Sequence, residues 1–308
     1  MLLQRCVAPG RRSTMGIDGF NKFMRESFPA SFTSILRGQS IPTRCHRLYI
    51  DCNDLLHQAA RRARDETQLF KELFVLLDTI IHICRPSKSV FLTLDGPGPY
   101  AKILEQRKRR ADTGRKAAAQ RKKHKHRSSP ASDGVLRGSD LKQALTPGTE
   151  LMHRLQSSLL YWAEAKLSNA LRNPRSRSNS HGPVDAHALK FYVSGSNVPG
   201  EGEMKILAEL YHHAAAEDGT SEQHVIVGGD ADLLVMAIQA DVPHLSVLQP
   251  DQVTRGWQLF STDAWAHAVA AHISSSSRGR DVLSEVRQDF AALALFEGND
   301  YLPLLPGE

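Results

Sequence analysis

The sequence predicts an α/β fold, a mostly parallel sheet flanked by helices, on three observations. Four short apolar runs end in turn residues: Arg47–Asp51, Ser89–Asp95, Leu189–Ser194 and His224–Gly229. Long segments with apolar residues at helical spacing lie between and after them. Acidic residues close these runs or follow them in short Gly- or Asn-bearing turns. Strand and helix in alternation imply parallel strands covered on both faces.

The helical segments follow in order. Leu55–Cys84 carries Leu69, Phe70, Leu73, Leu76, Leu77, Ile80, Ile81 and Ile83 at helical spacing. Thr146-Pro147 has the pattern of a capping hydroxyl followed by Pro at the first helical position. Leu151, Leu155, Leu159, Leu160, Trp162 and Leu167 then form an apolar face. A last helix is predicted over Val282–Glu297. Loops are predicted at 128–140, 173–183 and 274–279, where Ser, Pro, Gly and Asn collect. Trp162, Trp257 and Trp265 occupy apolar positions and are expected in the core. There is no internal repeat.

Seven carboxylates stand out. They are Asp51, Asp95, Glu201, Glu203, Asp230, Asp232 and Asp300. A carboxylate beside buried apolar surface is costly unless something pairs it. Ligands on parallel sheets bind beyond the carboxyl ends of the strands. Acids converging there repel one another, and a hard divalent cation is the usual remedy. The pattern points to metal-dependent phosphodiester chemistry. Any one of these acids alone reads equally well as a helix cap or turn residue.

Charge is unevenly spread. The chain of 308 residues carries +6 overall, whereas residues 101–127 hold 12 Lys/Arg against Glu105 and Asp112 alone. That leaves the remainder of the chain net acidic. A cationic stretch beside an acidic site suits a polyanionic substrate. Within it, Lys102, Gln106, Arg109 and Arg110 fall at i, i+4, i+7 and i+8, one face of a helix. Three cations and an amide on one stripe make a pocket for a terminal phosphate. Three readings fit the tract Arg115–Arg127: a track for nucleic-acid backbone, a nuclear import signal, or a solvated loop. No run approaches 18 uncharged apolar residues, so no membrane partner is expected. The four cysteines form no Cys-x-x-Cys pair, which excludes a zinc-ribbon reading and suits reduced thiols.

These residues carry a family resemblance. Met15-Gly16-Ile17, Leu-Tyr-Ile-Asp-Cys-Asn, Leu-Asp-Gly-Pro-Gly-Pro-Tyr-Ala-Lys with Gln-Arg-Lys-Arg-Arg, Thr-Pro-Gly-Thr-Glu, Val-Pro-Gly-Glu-Gly-Glu, Gly-Asp-Ala-Asp-Leu and Gly-Asn-Asp-Tyr-Leu-Pro occur in that order. The chain thereby resembles the amino-terminal region of the XRN 5′→3′ exoribonucleases over roughly residues 15–306. The resemblance implies a PIN-like, flap-nuclease-like sheet spanning 15–308, with residues 1–14 as a disordered extension. It implies that all seven carboxylates serve two Mg²⁺ or Mn²⁺ ions. Asp95, Glu203, Asp230, Asp232 and Asp300 would ligate directly, whereas Asp51 and Glu201 would do so directly or through water.

The resemblance further implies that Lys102, Gln106, Arg109 and Arg110 read the 5′-monophosphate of single-stranded RNA, and that His57 stacks on a terminal base. Met204 departs from the family's usual His, and Lys205 beside it is expected to reach a phosphate. Family members continue into a second conserved region. The chain is therefore expected to be a piece of a longer enzyme, or a trimmed protein that binds RNA with little turnover. A flap-type structure-specific nuclease is a further reading; the Lys102 stripe favours an end-reading enzyme over it. The basic tract favours the nucleus over the cytoplasm, while the Arg-bearing, acid-free start leaves a mitochondrial address open.

Overall fold

Three consecutive core residues, Leu48, Tyr49 and Ile50, are almost completely buried, as a strand covered on both faces requires. They belong to β2 (Arg47–Asp51), the centre of the sheet. The computed structural model describes residues 20–98, 141, 144–172, 189–215, 221–251, 254, 256–273 and 280–296. Among these, the strands are β1 (Phe32–Ile35), β2, β3 (Ser89–Thr93), β4 (Lys190–Ser194), β5 (His224–Val227), β6 (Leu245–Pro250) and β7 (Trp257–Ser261). The helices are α1 (Phe20–Ser27), α2 (Cys52–Arg62), α3 (Glu66–Cys84), α4 (Glu150–Arg172), α5 (Gly202–Ala214), α6 (Ala231–Gln239), α7 (Thr262–Ile273) and α8 (Arg280–Phe296).

The strand order is β1-β7-β6-β5-β2-β3-β4. From β6 to β4 every pairing is parallel, whereas β7 and β1 join antiparallel at one edge. The α/β, mostly parallel reading is borne out. The chain builds outward from β2 through β3 to β4, then returns to lay β5 on the other side of β2. That reversal falls between β2 and β5, and α/β sheets place their ligands beyond the carboxyl ends of the strands at such a point.

Side chains alternate across the sheet. Leu48, Ile50, Val90, Leu92, Val225 and Val227 pack with α2, α3 and α4 on one face. Tyr49, Ile226, Val247 and Phe260 pack with α1, α5, α6, α7 and α8 on the other. Trp162 and Trp265 are buried, and Trp257 packs half-buried against the first face, as expected of core residues. Cys45, Cys52 and Cys84 are buried free thiols, and burial pushes the pKa of each up, which keeps them unreactive.

Two helix boundaries differ from expectation. The stretch Leu55–Cys84 is two helices because Asp65 caps the second, its Oδ1 accepting from the Gln68 N–H at 2.9 Å. Gln68 reaches back in turn, its Oε1 accepting from the Arg64 N–H. Thr146-Pro147 does not open α4. Gly148 takes a φ of +84°, and the helix begins after Thr149, whose Oγ1 accepts from the Met152 N–H at 3.3 Å. Strands β1, β6 and β7 and helices α5, α6 and α7 were not legible as separate elements. The Asp300 motif, the segment 101–127 and the predicted loops all lie outside the described residues. Among the described residues no helix is long and apolar enough to cross a membrane.

Candidate active site at the carboxyl edge of the sheet

Parallel strands bring their carboxyl ends to one rim, and helices that follow them start there. Asp51 is both the last residue of β2 and the N-cap of α2, its Oδ1 accepting from the Asn53 N–H at 3.0 Å. Asp95 stands two residues beyond β3. Glu201 occupies the N-cap position of α5, and Glu203 lies in its first turn. Asp230 and Asp232 hold the same two positions on α6 after β5. Unlike Asp51, neither Glu201 nor Asp230 caps its helix through the side chain. Three helix amino termini therefore open onto the rim, and their partial positive charge favours anions there.

The acids do not merely share an edge. The Gly202 N–H donates to Asp95 Oδ1 at 2.7 Å, which draws α5 onto the end of β3. A Cβ on Gly202 would stand 2.7 Å from Asp51 Oδ1 and 3.0 Å from Thr93 Oγ1. Gly96 lies so close to the loop before Glu201 that a Cβ there would run into the Val198 carbonyl. The Gly96 N–H donates to the Gly200 carbonyl at 2.9 Å across the same approach. Burial pushes the Asp51 carboxyl pKa well up, and the negative charges of Asp95, Glu203 and Asp54 push the same way; the Asn53 N–H opposes them.

The loop from β5 completes the approach. A Cβ on Gly228 would lie 3.8 Å from Asp51 Cβ, and one on Gly229 would lie 2.7 Å from Asp54 Oδ2. Gly228 and Gly229 lead directly into Asp230. Asp51, Asp95 and Glu203 are thus brought within electrostatic reach, with Glu201 buried beside them. Among the described residues no three carboxylates, histidines or cysteines form a ready chelate as they stand. Convergence centres on Asp51. Asp300, Lys102, Gln106, Arg109 and Arg110 lie outside the described residues. His57 is exposed on the second turn of α2.

Lys205 has a different task from the expected phosphate contact. It is buried, and its Nζ donates to the carbonyls of Leu94 at 2.7 Å and Gly195 at 2.9 Å, tying the end of β3 to the end of β4. Met204 beside it is exposed. Lys205→Met keeps the stem but leaves two carbonyls without their donor. It is expected to cost about 2–3 kcal/mol, measured by urea unfolding. Asp54 and Thr93 were missed from sequence. Thr93 is fully buried, with its Oγ1 donating to the Ile50 carbonyl. The i, i+3 spacing of Asp51 and Asp54 was the available signal for Asp54.

A family model described as the XRN 5'-3' exonuclease N-terminus matches residues 15–251. The chain belongs to this family. Six of the seven acids and the Lys102 stripe fall inside the match to the XRN amino-terminal region. The 5'-3' exoribonuclease 1 of Saccharomyces cerevisiae is 27% identical over 95% of the chain and 19% of its own length. That of Homo sapiens is 26% identical over 95% of the chain and 18% of its own length. The chain spans about a fifth of the length of these relatives. A solved structure of the catalytic core of Rad2 in complex with DNA substrate aligns over 92% of this chain and 64% of that one. Its identity is 13% and its TM-score 0.41.

Proposed function

We propose that this chain is the nuclease core of a 5′→3′ exoribonuclease that removes mononucleotides from single-stranded RNA bearing a 5′-monophosphate. The observation that carries the reading is the packing of the Glu201-Gly202-Glu203 turn against Asp51 and Asp95 at the carboxyl edge of β2 and β3. Membership of the family supports it.

The donor set fits Mg²⁺ or Mn²⁺. Its atoms are hard carboxylate oxygens, and Asp51 is buried among like charges that a divalent cation would offset. Asp51, Asp95, Glu203, Asp230 and Asp232 would hold the ions, with Glu201 and Asp300 completing the set. When bound, such ions lower the pKa of an attacking water and stabilise charge on the scissile phosphate and the leaving 3′-oxygen. The chain itself supplies position. The Gly202 N–H fixes the Asp95 rotamer, the Asn53 N–H fixes Asp51, and the amino termini of α2, α5 and α6 favour a phosphate at the rim. His57, exposed on α2, would stack on a base without reading its identity. Lys102, Gln106, Arg109 and Arg110 would receive the terminal phosphate, so that degradation starts at one end.

The test is decay of a 5′-monophosphorylated single-stranded RNA, with 5′-hydroxyl and 5′-triphosphate controls, in Mg²⁺ and then EDTA. Mononucleotide release is expected only with the monophosphate and the metal. Asp230→Ala/Asp232→Ala is expected to abolish it while RNA binding persists. RNA binding without turnover in the unmodified chain would overturn the catalytic reading and leave an RNA-binding module. Cleavage of branched DNA in preference to single-stranded RNA would favour a structure-specific nuclease.

A further inference from the structure

Asp54 stands three residues after Asp51, in the first turn of α2. Both carboxylates rise from the same helix terminus, yet they face different neighbours. Asp51 Oδ1 lies against Gly202, in the turn that carries Glu201 and Glu203. Asp54 lies against Gly229. A Cβ there would stand 2.7 Å from Asp54 Oδ2, 3.3 Å from Cγ and 3.4 Å from Oδ1. Gly229 is bonded to Asp230. Each acid at the start of α2 therefore abuts one of the two acidic loops, Asp51 the loop of α5 and Asp54 the loop of α6.

The Asp54 side chain is held in that direction. Gln58, one turn along α2, donates through Nε2 to Asp54 Oδ2 at 3.1 Å. Among the described residues this neutral amide is its hydrogen-bond partner, and no Lys, Arg or His pairs with it. A half-buried carboxylate held in one direction, whose negative charge adds to the field at Asp51, raises the local need for a cation. It also adds hard oxygen donors on the side of Asp230 and Asp232, the composition that Mg²⁺ and Mn²⁺ take.

We infer that Asp54 is an eighth carboxylate of the metal site, holding the ion on the Asp230 side directly or through a water molecule. The inference rests on the metal-dependent reading proposed above. Gln58 then acts as its positioning residue, the role that outer hydrogen-bond partners play for metal ligands. The competing role for an acid in a first helical turn is interaction with the helix dipole, which stabilises the fold with or without metal.

The experiment measures Mn²⁺ binding to the full chain by electron paramagnetic resonance, together with thermal melting with and without Mn²⁺. Unmodified protein is compared with Asp54→Asn, Gln58→Ala and Asp230→Asn. Asp54→Asn is expected to weaken the binding of one ion about tenfold and to shrink the Mn²⁺-induced rise in Tm, while metal-free melting stays unchanged. Gln58→Ala keeps the charge and frees the rotamer, so a smaller weakening is expected in a variant that retains every acid. A drop in metal-free Tm with unaltered Mn²⁺ affinity would assign Asp54 to the helix dipole and overturn the inference. If Asp230→Asn weakens binding and neither Asp54→Asn nor Gln58→Ala does, the inference fails and the metal reading stands. If the unmodified chain binds no Mn²⁺, both fail.

Discussion

Gly202→Ala is expected to lower kcat/KM on 5′-monophosphorylated RNA by about 100-fold, the scale on which misplacing a reacting group by an ångström acts. The added methyl would stand 2.7 Å from Asp51 Oδ1 and 3.0 Å from Thr93 Oγ1. Neither can step aside cheaply. Asp51 is held by the Asn53 N–H, and Thr93 is fully buried with its hydroxyl committed to the Ile50 carbonyl. The helix must therefore lift, and the N–H that donates to Asp95 lifts with it. Glu201 and Glu203 leave the rim in the same movement. Overpacking of this kind costs about 1–3 kcal/mol, so the fold survives while the constellation loosens. Turnover measured beside circular dichroism separates the two effects. Near-normal kcat/KM in a folded Gly202→Ala protein would mean that the acids need no fixed approach of α5.

That approach marks the limit of what sequence could reveal. Strands β2, β3, β4 and β5 were readable because their apolar runs are short and closed by turn residues. Strands β6 and β7 were not. Leu245–Pro250 and Trp257–Ser261 mix Ser, Gln and Pro into their patterns, and pairing in the sheet makes them strands, β6 parallel to β5 and antiparallel to β7. The acids were legible as a set because motifs place them at strand ends. Their grouping was not, because it depends on which helix start packs on which strand end. Lys205 shows the same limit. Beside an acidic motif it suggested a phosphate contact, yet burial over two strand-end carbonyls gives it structural work. Asp54 lay in plain view three residues after Asp51 and gained meaning only when Gly229 was found against it.

The opposite edge of the sheet carries the largest expected loss of stability, from Glu222→Ala. Glu222 is 4% exposed. It accepts from Arg47 Nε and Nη2 and from Lys88 Nζ, joining the start of β2, the residue before β3 and the approach to β5. Arg47 also reaches Ser89 Oγ at 3.4 Å and His213 Nε2 at 3.2 Å. Truncating Glu222 strands a mostly buried guanidinium, which costs about 3–5 kcal/mol. Urea unfolding at neutral pH measures it, and a loss below about 1 kcal/mol would class the pair with solvent-screened surface bridges.

The same cluster sets the response to acid. Burial alone would raise the Glu222 pKa; the Arg47 and Lys88 hydrogen bonds and charges outweigh it and hold the group at about 2, against its ordinary 4.5. Its stabilisation is present above the unfolded value and is lost as pH falls from about 4.5 to 2. His224 acts in an earlier window. Buried beside Tyr49, whose hydroxyl lies 3.1 Å from its Nδ1, it is lowered by burial from 6.5 to about 4. Between those values the unfolded chain takes up a proton that the folded chain refuses, so stability falls as pH drops from 6.5 to about 4. The loss is about 3 kcal/mol for one such group. His46 and His213 are also lowered, chiefly by burial, and act in the same direction. His224→Gln is expected to flatten the upper window and leave the lower, and Glu222→Ala to do the reverse. Unfolding free energies at half-unit steps from pH 7 to 3 test both. An unaltered slope above pH 4 in His224→Gln would remove His224 as the first group to drive acid unfolding.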